Sequence, residues 1–235
     1  MNSSFAKTER SEAIHVPGAT RSGLMRPSSP ALVKAALINT CVDLDDSFGT
    51  GPVPNNDEGW GRLDLAQIIG SERLHEFVDQ TTTLTSGQTF ERRFFVASSE
   101  EPLKITLTYT DVPGFPASVI ALVNDLDLEV TGPGGVVYRG NQFHEGESVP
   151  NPKGADNLNN VEGVCLKVPI PGEYIVRVRA RSVREDARLD TPGVDQDFAL
   201  VVSGLLLPPG GSAVVLDRRA YTAPAVIHVL SLIHI

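Results

Sequence analysis

Oxygen-rich side chains alternate with apolar ones at two places in this chain. The first is Asn124-Asp125-Leu126-Asp127-Leu128, and the second, residues 156–162, reads Asp-Asn-Leu-Asn-Asn-Val-Glu. On a β-strand Asp125 and Asp127 point to the same face, where two carboxylates repel each other unless a cation or a proton intervenes. Calcium prefers oxygen ligands of this kind, and neither segment offers the thiolate or imidazole cluster that zinc would need. The pattern therefore predicts a calcium site.

The predicted calcium ligands all carry a carboxylate or an amide oxygen: Asp125, Asp127, Asp156, Asn160 and Glu162. Further amides are second choices as ligands, or braces for the loops: Asn124, Asn141 and Asn159. The spacing fits no EF-hand loop. Because Asp and Asn also populate ordinary solvated turns, a purely structural role for these residues stays open.

Composition excludes two classes of partner. The chain has 235 residues, of which 41% are hydrophobic, so it is long and apolar enough to bury a core. It carries 29 acidic against 20 basic residues, a net charge of -9, and no basic run, which argues against nucleic acid. No apolar stretch reaches the length that crosses a membrane. We therefore expect neither nucleic acid nor a membrane as a partner.

Cysteine usage and the first residues say little about the compartment. Cys41 and Cys165 fall in segments predicted to be different kinds of structure, so we expect small buried apolar residues rather than a disulfide, a metal pair or a redox motif. Residues 1–20 are polar and mixed, without a charged segment followed by an apolar one, so no signal peptide is visible in this chain.

One amphipathic helix is predicted near the start of the chain. Ser29 and Pro30 supply an N-cap and a first-turn proline for a helix over residues 29–40, with an apolar stripe of Leu32, Val33, Ala36 and Leu37. A polar loop over residues 43–58 follows, and Asp64 is placed to cap a short helix. A lone helix cannot bury such a stripe by itself. We therefore expect it to pack against a larger core that this chain lacks.

The hydrophobic period switches from helical to two-residue spacing farther along. Residues 103–110 alternate between apolar and polar side chains, and residues 173–180 do so except at Ile175, which is typical of half-buried strands. Turn sequences at residues 132–135 and 171–172 separate further strand candidates, namely 90–97, 119–130, 136–138, 161–168 and 198–205. The predicted fold class is mainly β, an antiparallel jelly-roll β-sandwich preceded by a short helical segment.

Ordered motifs along the chain carry a family resemblance. The run Gly-Trp-Gly-Arg-Leu-Asp at residues 59–64, with the helix at residues 29–40 before it, resembles the closing segment of a subtilisin-like serine protease catalytic domain. The segments that follow are similar, in order and spacing, to the C-terminal jelly-roll domain of alkaline subtilases: residues 103–107, 122–128, 138–141 and 159–162. The resemblance spans residues 27–205 and implies peptide-bond hydrolysis by a secreted parent enzyme that acts on protein substrates.

No catalytic residue can be carried over from that family. Its triad needs a serine in a Gly-Thr-Ser-Met-Ala-type turn, with the aspartate and histidine far upstream, and no such pattern occurs here. Ser22 lies in a superficially similar run, but directly before the predicted helix. A base must be oriented by a third group, and none of the histidines sits in a triad motif of that family: His15, His75, His144, His228 and His234. The chain alone is predicted to be inactive, and whether it counts as an enzyme is left uncertain.

The predicted domain boundaries follow these motifs. We expect an unmatched stretch at 1–26, the end of a subtilisin-like peptidase domain at 27–70, the sandwich at 76–207, and at 208–235 the truncated start of a further β-module with an artefactual tail. The predicted partner is the missing upstream catalytic domain. A stand-alone, non-catalytic β-sandwich that binds carbohydrate or protein is the alternative, although Trp60, outside the sandwich, is the only tryptophan.

Overall fold

The computed structural model describes residues 27–44, 51–69 and 74–207, together with the backbone of residues 212–216 and 229–234. The predicted unmatched stretch at 1–26, with Ser22 and His15, lies outside the described residues. Within them, no helix combines the length and the apolar character needed to cross a membrane.

The fold is mainly β, as predicted. One helix, α1 (Pro30–Asn39), precedes the strands. In chain order the strands are β1 (His75–Leu84), β2 (Thr89–Val96), β3 (Leu103–Thr108), β4 (Asp125–Thr131), β5 (Val137–Arg139), β6 (Phe143–His144), β7 (Glu147–Ser148), β8 (Val161–Leu166), β9 (Gly172–Ser182), β10 (Gln196–Ser203), β11 (Ser212–Leu216) and β12 (Val229–His234).

Two antiparallel four-stranded sheets carry the core. The first has the order β1-β10-β3-β8 and the second β2-β9-β4-β5, while β6 pairs with β7 and β11 with β12. Apolar side chains of both sheets form one buried cluster, which includes Leu103, Ile105 and Leu107 from the first sheet and Tyr174, Val176 and Val178 from the second. The predicted inward residues of β3 and β9 are therefore confirmed, although β3 is buried on both faces rather than half-buried. The two sheets face each other in a sandwich-like arrangement.

Helix α1 begins where the sequence predicts, because the Ser29 side chain accepts the backbone N–H of Leu32 at 2.9 Å and Pro30 fills the first turn. The predicted apolar stripe is only partly right. The buried apolar side chains of α1 are Ala31, Leu32 and Ala35, whereas Val33 is 46% exposed. Their partner also differs from the expected absent core: α1 packs on the outer face of the first sheet, against Phe77, Ala199 and Val201.

Strand β10 explains why α1 lies on the sandwich. All of its residues from Gln196 to Val202 are buried, so this strand is covered on both faces. Phe198, Leu200 and Val202 enter the core between the sheets, whereas Ala199 and Val201 face α1. The continuous apolar run from Phe198 to Val202 is typical of a strand buried on both sides. The Asn39 side chain fastens the end of the helix, because its amide donates to Thr106 Oγ1 at 3.1 Å.

The remaining differences from the predicted elements are local. Strand β1 was not predicted as a strand, and β4 begins at Asp125, so residues 119–124 form a loop. Asp64 caps a single 3-10 turn, Leu65–Gln67, by accepting the backbone N–H of Ala66 at 3.2 Å. The segment around Trp60 returns to α1 through a β-bridge between Val42 and Arg62.

A candidate cation site at the edge of the sandwich

Asp125 and Asp127 lie on one face of β4, as the sequence predicts. The intervening Leu126 and the following Leu128 enter the core, which places both carboxylates on the opposite face of the second sheet. On each of them Oδ1 is buried and has no hydrogen-bond partner among the described residues. The Arg181 guanidinium approaches the other oxygens from β9, at 3.8 Å from Asp125 Oδ2 and 3.9 Å from Asp127 Oδ2. These separations are too long for hydrogen bonds, so the carboxylates are only weakly compensated.

Glu162 reaches the same region from the other sheet. It lies on β8, is 1% exposed, and its Oε2 accepts the backbone N–H of Leu128 at 2.7 Å. Gly140 donates to the Leu128 carbonyl at 3.0 Å, and a Cβ at Gly140 would overlap the Glu162 carboxylate, so this approach requires glycine. Glu162 Oε1 is also buried without a hydrogen-bond partner within the described part of the chain. Three carboxylates thus each leave one buried oxygen unsatisfied.

The electrostatics of the region favour a positive charge. Burial raises the pKa of Asp125 to about 6, and the negative charge of Asp127 adds to the shift. Burial likewise raises the pKa of Asp127, although Arg181 opposes it. The pKa of Glu162 lies well above its ordinary value, mainly because the side chain is buried. The hydrogen bond from the Leu128 N–H opposes this shift, whereas the negative charges of Asp127, Asp156 and Asp125 add to it. The four carboxylates therefore interact, and a bound cation would lower the energy of their ionised forms.

Asp156 is engaged in holding its own loop. Its Oδ1 accepts the backbone N–H groups of Leu158 at 2.8 Å and Asn159 at 3.3 Å, and its Oδ2 accepts the side-chain amides of Asn141 at 2.5 Å and Asn159 at 2.7 Å. Both oxygens are therefore already hydrogen-bonded. Asp156 lies close enough to affect the other carboxylates electrostatically, but its contacts are those of a loop brace.

The predicted amides mainly fasten loops to strands. Asn160 donates its side-chain amide to the Tyr109 carbonyl at 3.0 Å, which leaves Oδ1 as the only atom of that amide able to bind a cation. Asn141 accepts the Gly163 N–H at 2.9 Å and donates to the Val161 carbonyl at 2.7 Å. Asn124 is fully buried, and both its side-chain atoms are used in hydrogen bonds to residues 184, 185 and 196.

The side chains as placed do not form a finished metal cluster. Among the described residues, no group of three or more His, Cys, Asp or Glu side chains is arranged to hold a metal ion. The candidate site is instead a set of carboxylates that influence one another electrostatically, three of which leave a buried oxygen unsatisfied. Asp125, Asp127 and Glu162 would have to turn toward a common point to bind one ion.

Arginines around the site were not predicted from the sequence. Arg179 is the register partner of Asp127 across β9 and β4, and Arg181 follows two residues later on the same face. With Asp127, Glu129, Arg139 and Lys153 they line a polar cleft of about 570 Å³. The signal was present in the alternation of residues 173–180, whose polar positions are rich in arginine. The cross-strand pairing that sets these arginines against the aspartates is not visible in the sequence.

No catalytic serine centre emerges from the histidines that the structure describes. His75 begins β1 and stacks on Phe77, with ring centroids 5.8 Å apart. His144 is exposed in the short β6–β7 hairpin. His228 and His234 lie where no side chain is described. The prediction that no catalytic residue can be assigned in this chain therefore stays a prediction.

Comparison with known proteins links the chain to a protease. It is 29% identical over 186 residues to the "Serine protease/ABC transporter B family protein tagA" of Dictyostelium discoideum, a match that covers 71% of this chain. The chain spans about a tenth of the length of that relative, since 10% of it is covered. No protein-family model matches the chain. The similarity therefore supports a relation to serine proteases, without defining the type of protease.

Two solved structures are similar to part of this chain, but both superpose poorly. A periplasmic inhibitor of g-type lysozyme, PliG from Aeromonas hydrophila, is 16% identical, covers 59% of this chain and 89% of its own, and superposes with a TM-score of 0.28. A protein named GEBA250068378 from Sulfurospirillum deleyianum is 7% identical, covers 57% of this chain and 97% of its own, and gives a TM-score of 0.26. Superpositions this poor do not support a shared fold or function.

Proposed function

We propose that this chain is part of a secreted subtilisin-like serine endopeptidase, and that its sandwich is a non-catalytic domain that binds calcium. The observation that carries the calcium proposal is the set of three buried carboxylate oxygens, on Asp125, Asp127 and Glu162, that have no hydrogen-bond partner among the described residues. The protease relation is supported by the similarity to a protein named as a serine protease. The subtilisin-like type rests on the order of motifs from residue 29 to residue 162.

Calcium suits the chemistry of these residues. The donors are carboxylate oxygens, with one amide oxygen at Asn160, and calcium takes six to eight such ligands together with backbone carbonyls and water. An ionised carboxylate that is buried without a partner is costly, so a cation that binds only the folded chain stabilises it. Asp125, Asp127 and Glu162 would hold the ion directly. Asp156 and Asn160 would contribute an oxygen or keep the 156–162 loop in place.

Catalysis is assigned to a part of the parent protein outside this chain. Acyl transfer needs a nucleophile, a base and a group that orients the base, and no motif for any of them occurs in the sequence. Protein substrates and the upstream catalytic domain are therefore partners of the whole enzyme. The sandwich contributes stability to that enzyme through its calcium-dependent folding.

Thermal unfolding of the purified chain with and without calcium tests this function. A site that exists only in the folded state adds about 2.7 kcal/mol of stability at a hundredfold excess over Kd, so calcium should raise the melting temperature and a chelator should reverse the effect. Asp64→Asn is the matched control, because Asp64 caps a distant 3-10 turn. A melting curve that is identical in calcium and in chelator would refute the calcium part of the proposal.

The protease part needs a separate test. The purified chain should turn over no casein and should not react with a fluorophosphonate probe. Joined to an upstream subtilisin-like domain from the same genomic locus, it should form a single active enzyme. If the DNA immediately upstream encodes no protease, the alternative of a stand-alone binding module becomes the better account. Against that alternative, Trp60 packs edge-on against Phe143 at 6.0 Å and covers Gly163, so it is not free to act as a sugar platform.

A further inference from the structure

The two cysteines of the chain line the same cavity. Cys41 follows α1, and Cys165 lies on β8, 124 positions later in the sequence. Both are free thiols, and both border a mainly apolar cavity of about 270 Å³ between the Trp60 segment and the outer face of the first sheet. No sequence pattern predicts that they lie together, because they belong to segments of different structure.

Strand pairing fixes the side of the sheet from which Cys165 projects. Lys104 on β3 is its register partner, so both side chains leave the sheet on the same face. Their strand neighbours Ile105, Val164 and Leu166 enter the core between the sheets, which leaves Lys104 and Cys165 on the face that carries α1. Cys165 therefore lies on the face of the first sheet that carries α1, and with Cys41 it lines the cavity.

Lys104 also contacts the Cys41 segment directly. Its Nζ donates to the Cys41 carbonyl at 2.6 Å, so the register partner of Cys165 is hydrogen-bonded to the backbone of Cys41. Burial raises the pKa of both thiols, and the positive charge of Lys104 opposes that rise in each case. Cys41 is 5% exposed and donates its S–H to the Leu37 carbonyl at 3.3 Å. This weak donor interaction is the hydrogen bond that the Cys41 thiol would give up on oxidation.

We propose that Cys41 and Cys165 form a disulfide when the protein meets an oxidising thiol–disulfide pool. A thiolate of the pair attacks a small-molecule disulfide such as oxidised glutathione, forming a mixed disulfide and releasing one reduced thiol. The second cysteine then attacks its partner's sulfur and displaces the other reduced thiol. Two S–H bonds are lost, one S–S bond forms, and the small-molecule disulfide takes up both electrons and both protons.

Such a bond would fasten α1 and the Trp60 segment to the sandwich. A small apolar set, Ala31, Leu32 and Ala35, and a few hydrogen bonds such as that from Asn39 to Thr106 hold α1 to the sheet. A disulfide between positions so far apart in sequence closes a long loop and removes much of the entropy of the unfolded chain. The inference is independent of calcium binding and of any protease activity.

The test uses the full chain equilibrated with a mixture of oxidised and reduced glutathione, quenched with acid, alkylated and digested for mass spectrometry. We expect a peptide that joins Cys41 to Cys165, protection of both thiols from alkylation until a reductant is added, and a melting temperature roughly 10 °C above that of the reduced protein. Cys41→Ser and Cys165→Ser should each abolish this shift, and the melting temperature of either should match that of the reduced wild type.

Wild-type mass spectrometry decides the question even if a variant folds poorly. Alkylation of both thiols after equilibration, recovery of glutathione mixed disulfides alone, or disulfides only between two chains would each overturn the proposal. The calcium response should be present in the reduced and the oxidised protein, so failure of the disulfide and failure of the calcium site are distinguishable.

Discussion

The Glu162 carboxylate on β8 accepts the backbone N–H of Leu128 on β4 at 2.7 Å, which joins the two sheets of the sandwich. Strand β5 pairs with β4 only from Glu129 to Thr131, so Glu162 takes the place of a strand partner where that ladder ends. Its second oxygen is buried and without a hydrogen-bond partner among the described residues. One side chain thus closes the sandwich edge and faces the candidate cation site.

Two substitutions separate these roles of Glu162. Glu162→Gln keeps an oxygen for the Leu128 N–H but removes the buried charge, so the chelated protein should be at least as stable as the wild type, with a weaker calcium response. Glu162→Ala leaves that N–H unsatisfied and should cost about 1–3 kcal/mol, beside the cavity it creates. Urea unfolding in chelator measures both. Equal losses in the two variants would show that the charge has no part in the effect.

Stability of the chelated protein should fall as the pH rises from about 4 to about 6. The folded-state pKa of Asp125 is about 6, above its ordinary value of 3.8, because of burial and then the charge of Asp127. The folded chain therefore holds the proton of Asp125 more tightly than the unfolded chain does. This contribution to stability is fully present below the unfolded-state pKa and is lost as the pH rises through the folded-state pKa. Melting temperatures across this range, compared with those of Asp125→Asn, isolate the contribution. A variant with the same pH dependence as the wild type would argue against it.

Gly163 provides a structural prediction with a spectroscopic readout. A Cβ at this position would lie 2.8 Å from the Trp60 ring, so Gly163→Ala should displace the ring, shift the fluorescence of the only tryptophan and cost about 1–3 kcal/mol. Gly154→Ala is the matched control, since nothing lies within 4 Å of a Cβ there. Unchanged fluorescence in Gly163→Ala would mean that Trp60 does not pack on β8.

Helix α1 should be protected together with the sandwich. Ala35 is fully buried in the cluster that includes Ala199 and Val201, so Ala35→Leu should overpack this interface and destabilise the chain by about 1–3 kcal/mol. Val33→Ala, on the exposed side, should have little effect. Hydrogen exchange provides the second measurement: amides of residues 33–39 should exchange more slowly than those of residues 113–120. Rapid exchange throughout α1 would show that the helix does not stay on the sheet.

Local patterns predicted the strands that have one buried face, and failed where contacts are distant in sequence. The alternation in β9 gave its inward residues correctly, because a half-buried strand imposes a period of two. The alternation in β3 also gave its inward residues, but its outward Thr106 and Thr108 are buried as well, because α1 covers that face. Val33 was wrongly predicted to be in the buried stripe of α1. Helical spacing alone does not show which side of the helix will pack on the outer face of β10. Strand β1, whose polar Gln-Thr-Thr-Thr run hides the period, was missed.

In the candidate site, too, local features were predicted correctly and contacts between distant segments were not. Asp125 and Asp127 were predicted to share a face, and they do. The approach of Glu162 to Leu128 depends on how the two sheets pack, which no local pattern encodes. The pairing of Arg179 with Asp127 depends on strand register for the same reason. The role of Asp156 as a loop brace rests largely on local contacts, and it matches the structural alternative left open for these residues.

Calcium titration of the metal-free chain by calorimetry tests the central claim most directly. The wild type should show saturable binding at one site. Asp125→Asn with Asp127→Asn should abolish it while leaving the chelated protein folded, because amides remove the like-charge repulsion and keep the shape of both side chains. Wild-type binding that survives intact in the double variant, or no binding heat at millimolar calcium together with an unchanged melting temperature, would contradict the account.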